Sequence, residues 1–330
     1  MPDLYRRLKA VGLTRTYVRK MIFPEWWDDQ VADNPAGFLE GLLYLSRHAG
    51  LDLATLKDPS SSPSIRNFGI CKYKKSAGVS DDQLSLARAI ATRAAQLVSL
   101  ATTAPVVPLP SSPALMRREI LGQGDHWIGL ENLLEYCWSA GVPVLHVSSF
   151  PDIRKPEGFA ANVNGRPVIV LFKKATQPAW LLFILAHELG HLACGHVPED
   201  GVLIDDDVDT NERDQEEDEA NAFAFELLTG GIGTRFFASG RWPNAGELAR
   251  FARETGLQRQ VDPGHIVLNY AHTMGSGFFA VANAALKLLD PEADAPKLVR
   301  DQMAERIDWS MLPEDSSEFL MRLSVVVPGR

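Results

Sequence analysis

The stretch Pro178–His196, PAWLLFILAHELGHLACGH, constrains this chain more than any other. It is apolar at nearly every position up to Ala186, so it reads as a buried helix, and it then carries His187, Glu188 and His191. Positions i and i+4 share a helix face, so both imidazoles leave side by side, and Glu188, one step round, reaches a water held between them. Burial makes unliganded histidines costly, and two imidazoles at this spacing suit Zn2+. Gly190 and Ala193 leave room for a neighbour beside this face.

A catalytic zinc takes three protein ligands and keeps one position open for water. A third histidine in the pattern HExxHxxGxxH is absent, because Cys194 stands at the glycine position and Val197 at the histidine, and His196 is one residue out of register. The other common solution is a glutamate from a second helix, and DQEEDEANAFAFELL offers one. Its apolar face is Ala220, Phe223, Ala224 and Leu227. Glu216 and Glu219 lie on or beside that face, whereas Glu217 and Asp218 are expected to face solvent. Helix geometry favours Glu219 over Glu216, since it sits closer to the Phe223 turn.

The 330 residues are 45% hydrophobic and 23% charged, enough for a sizeable core. The net charge of −9 is local: residues 205–219 hold ten acids and one arginine, and the remainder balances. That run is expected to be a solvated loop rather than a lure for a basic substrate. Residues 1–104 hold 14 Lys/Arg and 10 Asp/Glu, which permits nucleic-acid contact without making a strongly basic footprint. Cys71, Cys137 and Cys194 form no CxxC, which disfavours a disulfide framework or a thiolate zinc site and fits a reducing, cytoplasmic setting. No signal-peptide core opens the chain, and the run Ala179–Ala186 is too short to cross a bilayer, so no membrane association is expected.

Two Pro/Ser-rich stretches, 58–64 and 104–113, read as linkers. They divide the chain into a helical module (1–60), a connecting strand and helix (61–104, with Ser80 capping the helix), a main domain (105–300) and a polar C-terminal tail (301–330). Thr14 and Asn34–Pro35 mark helix starts in the first module. In the main domain, a helix and about three strands precede the HExxH helix, and Asn164–Gly165 suits a type I′ hairpin turn. The strand Pro167–Phe172 is expected to lie at a sheet edge, where an extended substrate pairs with it.

HELGHLACGH followed some 25 residues later by EANAFAFELL resembles the ImmA/IrrE family of zinc metallopeptidases, across roughly residues 115–230 and more loosely to about 275. Where members often carry a proline after the Leu-Leu pair, this chain has Thr229-Gly230-Gly231. The resemblance implies an α+β, zincin-like fold, His187, His191 and Glu219 as zinc ligands, and Glu188 as general base. It also implies a protein substrate, a partner repressor or antitoxin in a stress or mobile-element response.

Family members frequently join a helix-turn-helix to the peptidase, and GLTRTYVRKMI resembles one, with Arg15, Arg19 and Lys20 facing DNA phosphates. A plain helical interaction bundle is the competing reading of that module. His265, Tyr270 and His272, on a later helix, are candidate oxyanion donors, and packing histidines are the ordinary alternative. Two rivals to an intracellular zinc endopeptidase remain at this stage: a non-catalytic DNA-binding or antitoxin-like regulator with a structural zinc, and a zinc hydrolase of non-peptide amides.

Overall fold

The computed structural model describes residues 1–66, 70–73, 81–151, 156–198, 201–204, 215–237 and 242–324, the side chains of 70–73, 81–85 and 201–204 excepted. The N-terminal region is helical: α1 (Pro2–Ala10), α2 (Arg15–Tyr17) continuing as a π turn over Val18–Ile22, a 3-10 turn (Asp29–Asp33), α3 (Pro35–His48) and α4 (Leu53–Lys57). Short polar side chains start these helices by satisfying free N–H groups. Thr14 Oγ1 accepts from the Tyr17 amide at 3.2 Å, and Asn34 Oδ1 accepts from Gly37 at 2.9 Å with Pro35 at the first helical position. Next come β1 (Ile70–Tyr73) and the long α5 (Asp81–Ala101). Ser80, the expected cap of α5, lies outside the described residues.

The α+β part follows with α6 (Pro113–Leu121), α7 (Leu130–Ser139), β2 (Val144–His146), β3 (Gly158–Val163), β4 (Arg166–Leu171), α8 (Pro178–Ala193), β5 (Gly201–Ile204) and α9 (Gln215–Thr229). Three further helices, α10 (Ala245–Arg259), α11 (Pro263–Met274) and α12 (Phe279–Leu289), pack as a satellite around Leu248, Ala252, Ile266 and Leu286. The chain closes with α13 (Ala295–Arg306) and α14 (Glu314–Ser324).

The strands form one sheet in the order β1-β5-β3-β4-β2, with β3 antiparallel to both neighbours and the outer pairs parallel. Asn164 (φ 52°) and Gly165 (φ 78°) both adopt the left-handed conformation that a type I′ turn needs, and they close the β3–β4 hairpin as expected. Both faces of the sheet are buried, which the strand alternation makes possible. Val168, Val170 and Phe172 join Phe159 and Ala161 under α5, while Ile169 and Leu171 face α7 and α8.

Three expectations need correction. The strand Pro167–Phe172 is no edge: β4 is hydrogen-bonded to β3 on one side and β2 on the other, so its polar groups are already used. The polar tail expected from 301 onward is helical through Ser324, because EDSSEFLMRLS is amphipathic and buries Phe319, Leu320 and Leu323. Finally, the Pro/Ser stretches do not separate cores. Around 58–64, the Asp52 amide bonds Ser64 O at 2.8 Å and Arg7 Nε donates to Ser61 O at 3.1 Å. The second stretch passes so close to Gly141 that a Cβ there would lie 2.3 Å from Pro105 O. One apolar core then runs from Leu8 and Leu45 through Ile90 and Leu97 of α5 to the sheet and to Phe319.

Candidate metal centre

Helix α8 is buried along Leu181, Leu182, Leu185 and Leu189, and His187 and His191 emerge from it on the side that meets α9. The two helices touch at Gly190: a Cβ there would stand 3.1 Å from the Ala220 carbonyl oxygen and 3.2 Å from Phe223 Cβ. This approach brings the first turn of α9 over the histidines. Glu217 Oε1 lies 3.2 Å from His191 Nε2, Glu217 Oε2 lies 3.3 Å from His187 Nε2, and the two Nε2 atoms are 3.0 Å apart. Among the described residues, His187, His191 and Glu217 form the group able to hold a metal ion.

The third member of this group is therefore Glu217, not the expected Glu219 or its alternative Glu216. The apolar stripe Ala220, Ala224 and Leu227 continued back by one turn reaches Glu217, since residues three and seven apart share a face. Glu219 points elsewhere, with its side chain 47% exposed, and accepts from His196 Nε2 at 3.0 Å and Gln215 Nε2 at 2.8 Å. Those two donors hold its carboxyl below the usual range.

The remaining imidazole nitrogens define the tautomers. His187 Nδ1 donates to Asn221 Oδ1 at 3.1 Å. His196 must donate from Nε2 to the Glu219 carboxylate, so its Nδ1 accepts from His191 Nδ1 at 2.9 Å. Both Nε2 lone pairs then face each other and Glu217, an arrangement that calls for a cation. Tetrahedral zinc donors at 2.0–2.1 Å stand about 3.3 Å apart, close to the separations here, so the donor set fits. Burial, reinforced by His187 and His196 against Glu217, pulls the His191 pKa down and keeps its nitrogen available.

Helix α8 ends in a way that places His196. Gly195 takes φ 76°, the Gly195 amide bonds Leu192 O at 3.2 Å, and the His196 amide bonds His191 O at 3.0 Å, a Schellman turn that folds His196 back under His191. The register offset that disqualifies His196 as a ligand thus makes it a partner of one. Glu188 is 2% exposed and lies directly over β3, where a Cβ on Gly158 would be 2.9 Å from its Oε1. Sequence reasoning missed Asn221, His196 and Gly158 in these roles. Asn221 is the i+4 neighbour of Glu217, which the sequence reading turns toward solvent, so none of the three carries a sequence signal for these roles.

Of the expected oxyanion donors, His265 comes nearest. Its ring is buried between Phe183 (6.1 Å between centroids) and Phe225 (6.2 Å), and Phe183 is 6.5 Å from the His187 ring. Burial lowers its pKa to about 4. Tyr270 and His272 are not brought to the cluster: their rings pack on Phe278 (6.0 Å) and Phe279 (5.0 Å). In the N-terminal region, Arg15 and Arg19 bond Asp29 at 2.7 and 2.8 Å, and Tyr5 donates to the same carboxylate, while Lys20 is exposed. Most of the acidic run, 205–214, lies outside the described residues. Among the described residues, no helix is long and apolar enough to cross a membrane.

Comparison with known proteins gives one match. Residues 148–255 fit the family model Peptidase_M78, described as the IrrE N-terminal-like domain. No curated protein and no solved structure matches the chain significantly. The matched stretch contains α8, α9 and the His-His-Glu cluster between them, on the mixed α+β architecture that a zincin-like fold requires. The match over residues 148–255 is to the IrrE N-terminal-like domain and is consistent with a protein of the ImmA/IrrE family.

Proposed function

We propose that this protein is a zinc-dependent endopeptidase in which His187, His191 and Glu217 hold the metal and Glu188 is the general base. The observation that carries the reading is the convergence of two imidazole Nε2 atoms and one carboxylate within 3.0–3.3 Å, with a buried glutamate one residue from the first ligand. Zinc, when bound, polarises the scissile carbonyl and makes the attacking water more acidic. Glu188 takes the proton from that water and passes it to the leaving amine. The Glu188 side chain lies against Gly158 of β3, where a Cβ would meet its Oε1. His265, packed between Phe183 and Phe225, supports the wall beside His187 through Phe183 rather than facing the site.

The substrate we infer is a folded regulatory protein, a repressor or antitoxin acting in a stress or mobile-element response, as the family resemblance implies, and the setting is the cytoplasm. The Asp29 pairing of Arg15 and Arg19 counts against a phosphate-gripping surface at α2. The test is Glu188→Gln, assayed with a repressor encoded beside this gene. Zinc content and melting should match the parent while cleavage falls by about a hundredfold or more. Retained cleavage sinks the assignment of the base. Absence of cleavage by the parent protein against every neighbouring regulator favours a structural zinc.

A further inference from the structure

A second concave site lies far in sequence from the metal centre, between α3, α4 and α5. It has a volume of about 390 Å³, and three guanidiniums line it, those of Arg47, Arg66 and Arg93. Leu43 and Leu53 supply apolar wall, Gln96 an amide and Ser46 a hydroxyl, and the one carboxylate in the lining, Asp52, accepts from the Thr55 amide at 2.9 Å as the cap of α4, so three positive charges face one negative.

Arg93 is the informative member. It projects from α5, where its neighbours Thr92 and Ala94 are buried in the core. Its Nε is buried and finds no hydrogen-bond partner among the described residues. Its two terminal nitrogens reach Gln96 Oε1 and Ser316 Oγ only at 3.5 Å, the outer limit for such bonds. Burial lowers its proton affinity, and Arg47 and Arg66 lower it further. Among the described residues, Asp315 opposes this, but it is ion-paired with Arg47. Arg66 is anchored by its own donation to Ser46 O and Oγ at 2.6 and 3.0 Å. A half-buried guanidinium whose Nε is shut from water and whose terminal nitrogens have only distant acceptors gains from an anion that meets it.

We propose that this cavity binds a small phosphomonoester, with Arg93 as its half-buried anchor and Arg66 and Arg47 closing on the same phosphate. A tetrahedral phosphate offers oxygens in three directions, which suits three forks better than the two coplanar oxygens of a carboxylate. The volume exceeds one phosphate, and the leucines and Gln96 suit an attached organic group such as a nucleoside. The site lies in a recess, so a duplex backbone would meet Arg66 and Arg47 before Arg93.

The experiment is calorimetric titration and thermal melting of the full-length, metal-loaded protein with AMP, inorganic phosphate and adenosine. AMP should bind saturably and raise Tm by about 2 °C or more near saturation, and adenosine should not. Arg93→Gln should weaken AMP by about 30-fold or more, with zinc content unchanged. Arg66→Gln, at an exposed position, provides the same reading if the Arg93 variant does not fold, with a weakening of about tenfold. AMP tighter than phosphate identifies an ester as the ligand, and equal affinities identify free phosphate. Absence of saturable binding, unchanged affinity in both variants, or duplex DNA as the anion that Arg66→Gln releases overturns the proposal.

Discussion

At the scale of single residues, the metal centre separates three glutamates that sequence alone leaves crowded together. Glu217→Ala should strip most zinc from the purified protein, as should His187→Ala. Glu219→Ala and His196→Ala should retain the metal but bind it roughly 10–100-fold more weakly, because they orient His191 without touching the ion. Competition with a zinc-chelating dye measures this, and greater loss in Glu219→Ala than in Glu217→Ala would return the choice to Glu219. The histidine pair and Glu188 were legible because helical spacing is rigid and local. The third ligand was not, because the stripe was gauged from Phe223, which lies on its far flank, when Ala220, Ala224 and Leu227 point back to Glu217. The register of His196 argues against it as a ligand, and the left-handed Gly195 that folds it back under His191 is invisible to a helical count.

At the scale of elements, two close approaches set the geometry, α9 on Gly190 and Glu188 on Gly158. Gly158→Ala should leave zinc content near normal yet reduce cleavage by roughly tenfold to a hundredfold, since the new Cβ must displace either Glu188 or Ile184. Measuring kcat against metal content separates this from a folding defect, and an unchanged kcat would remove Gly158 from the site. The β3–β4 hairpin was readable because its turn residues and alternation are contiguous. The partners of β4 were not, because β2 is only three residues long and its pairing is parallel, so nothing local announces it. The same limit hid α14, whose apolar residues acquire meaning only against helices from the other end of the chain.

At the scale of the molecule, the sheet is covered on both faces, and one cover is built from the N-terminal helices, α5 and α14. A fragment beginning at 105 would expose Phe159, Val168, Val170 and Phe172, so it should be insoluble or melt without cooperativity. A soluble, cooperatively melting, zinc-loaded fragment would show that the linkers divide the fold after all. Acid should loosen the same core. His48, 1% exposed and stacked on Phe319 at 4.5 Å, and His265 both have pKa values lowered to about 4 by burial. Unfolded histidines take protons near pH 6.5, so stability is complete above that value and declines as pH falls toward about 4, by up to roughly 3 kcal/mol for each. Asp262, raised to about 6 by burial, partly offsets this in the same range. Urea unfolding of metal-free protein at pH 7.5 and 4.5 should show the loss, and His48→Phe should reduce it. The ion pair of Arg47 with Asp315 joins residues 268 positions apart. At a synthesis rate of roughly 5–20 residues per second, about 13–50 s separate the two from the ribosome's point of view. For that interval the first helices and the sheet face have no lid, and the nascent chain depends on chaperones, or on speed, until its last helix arrives.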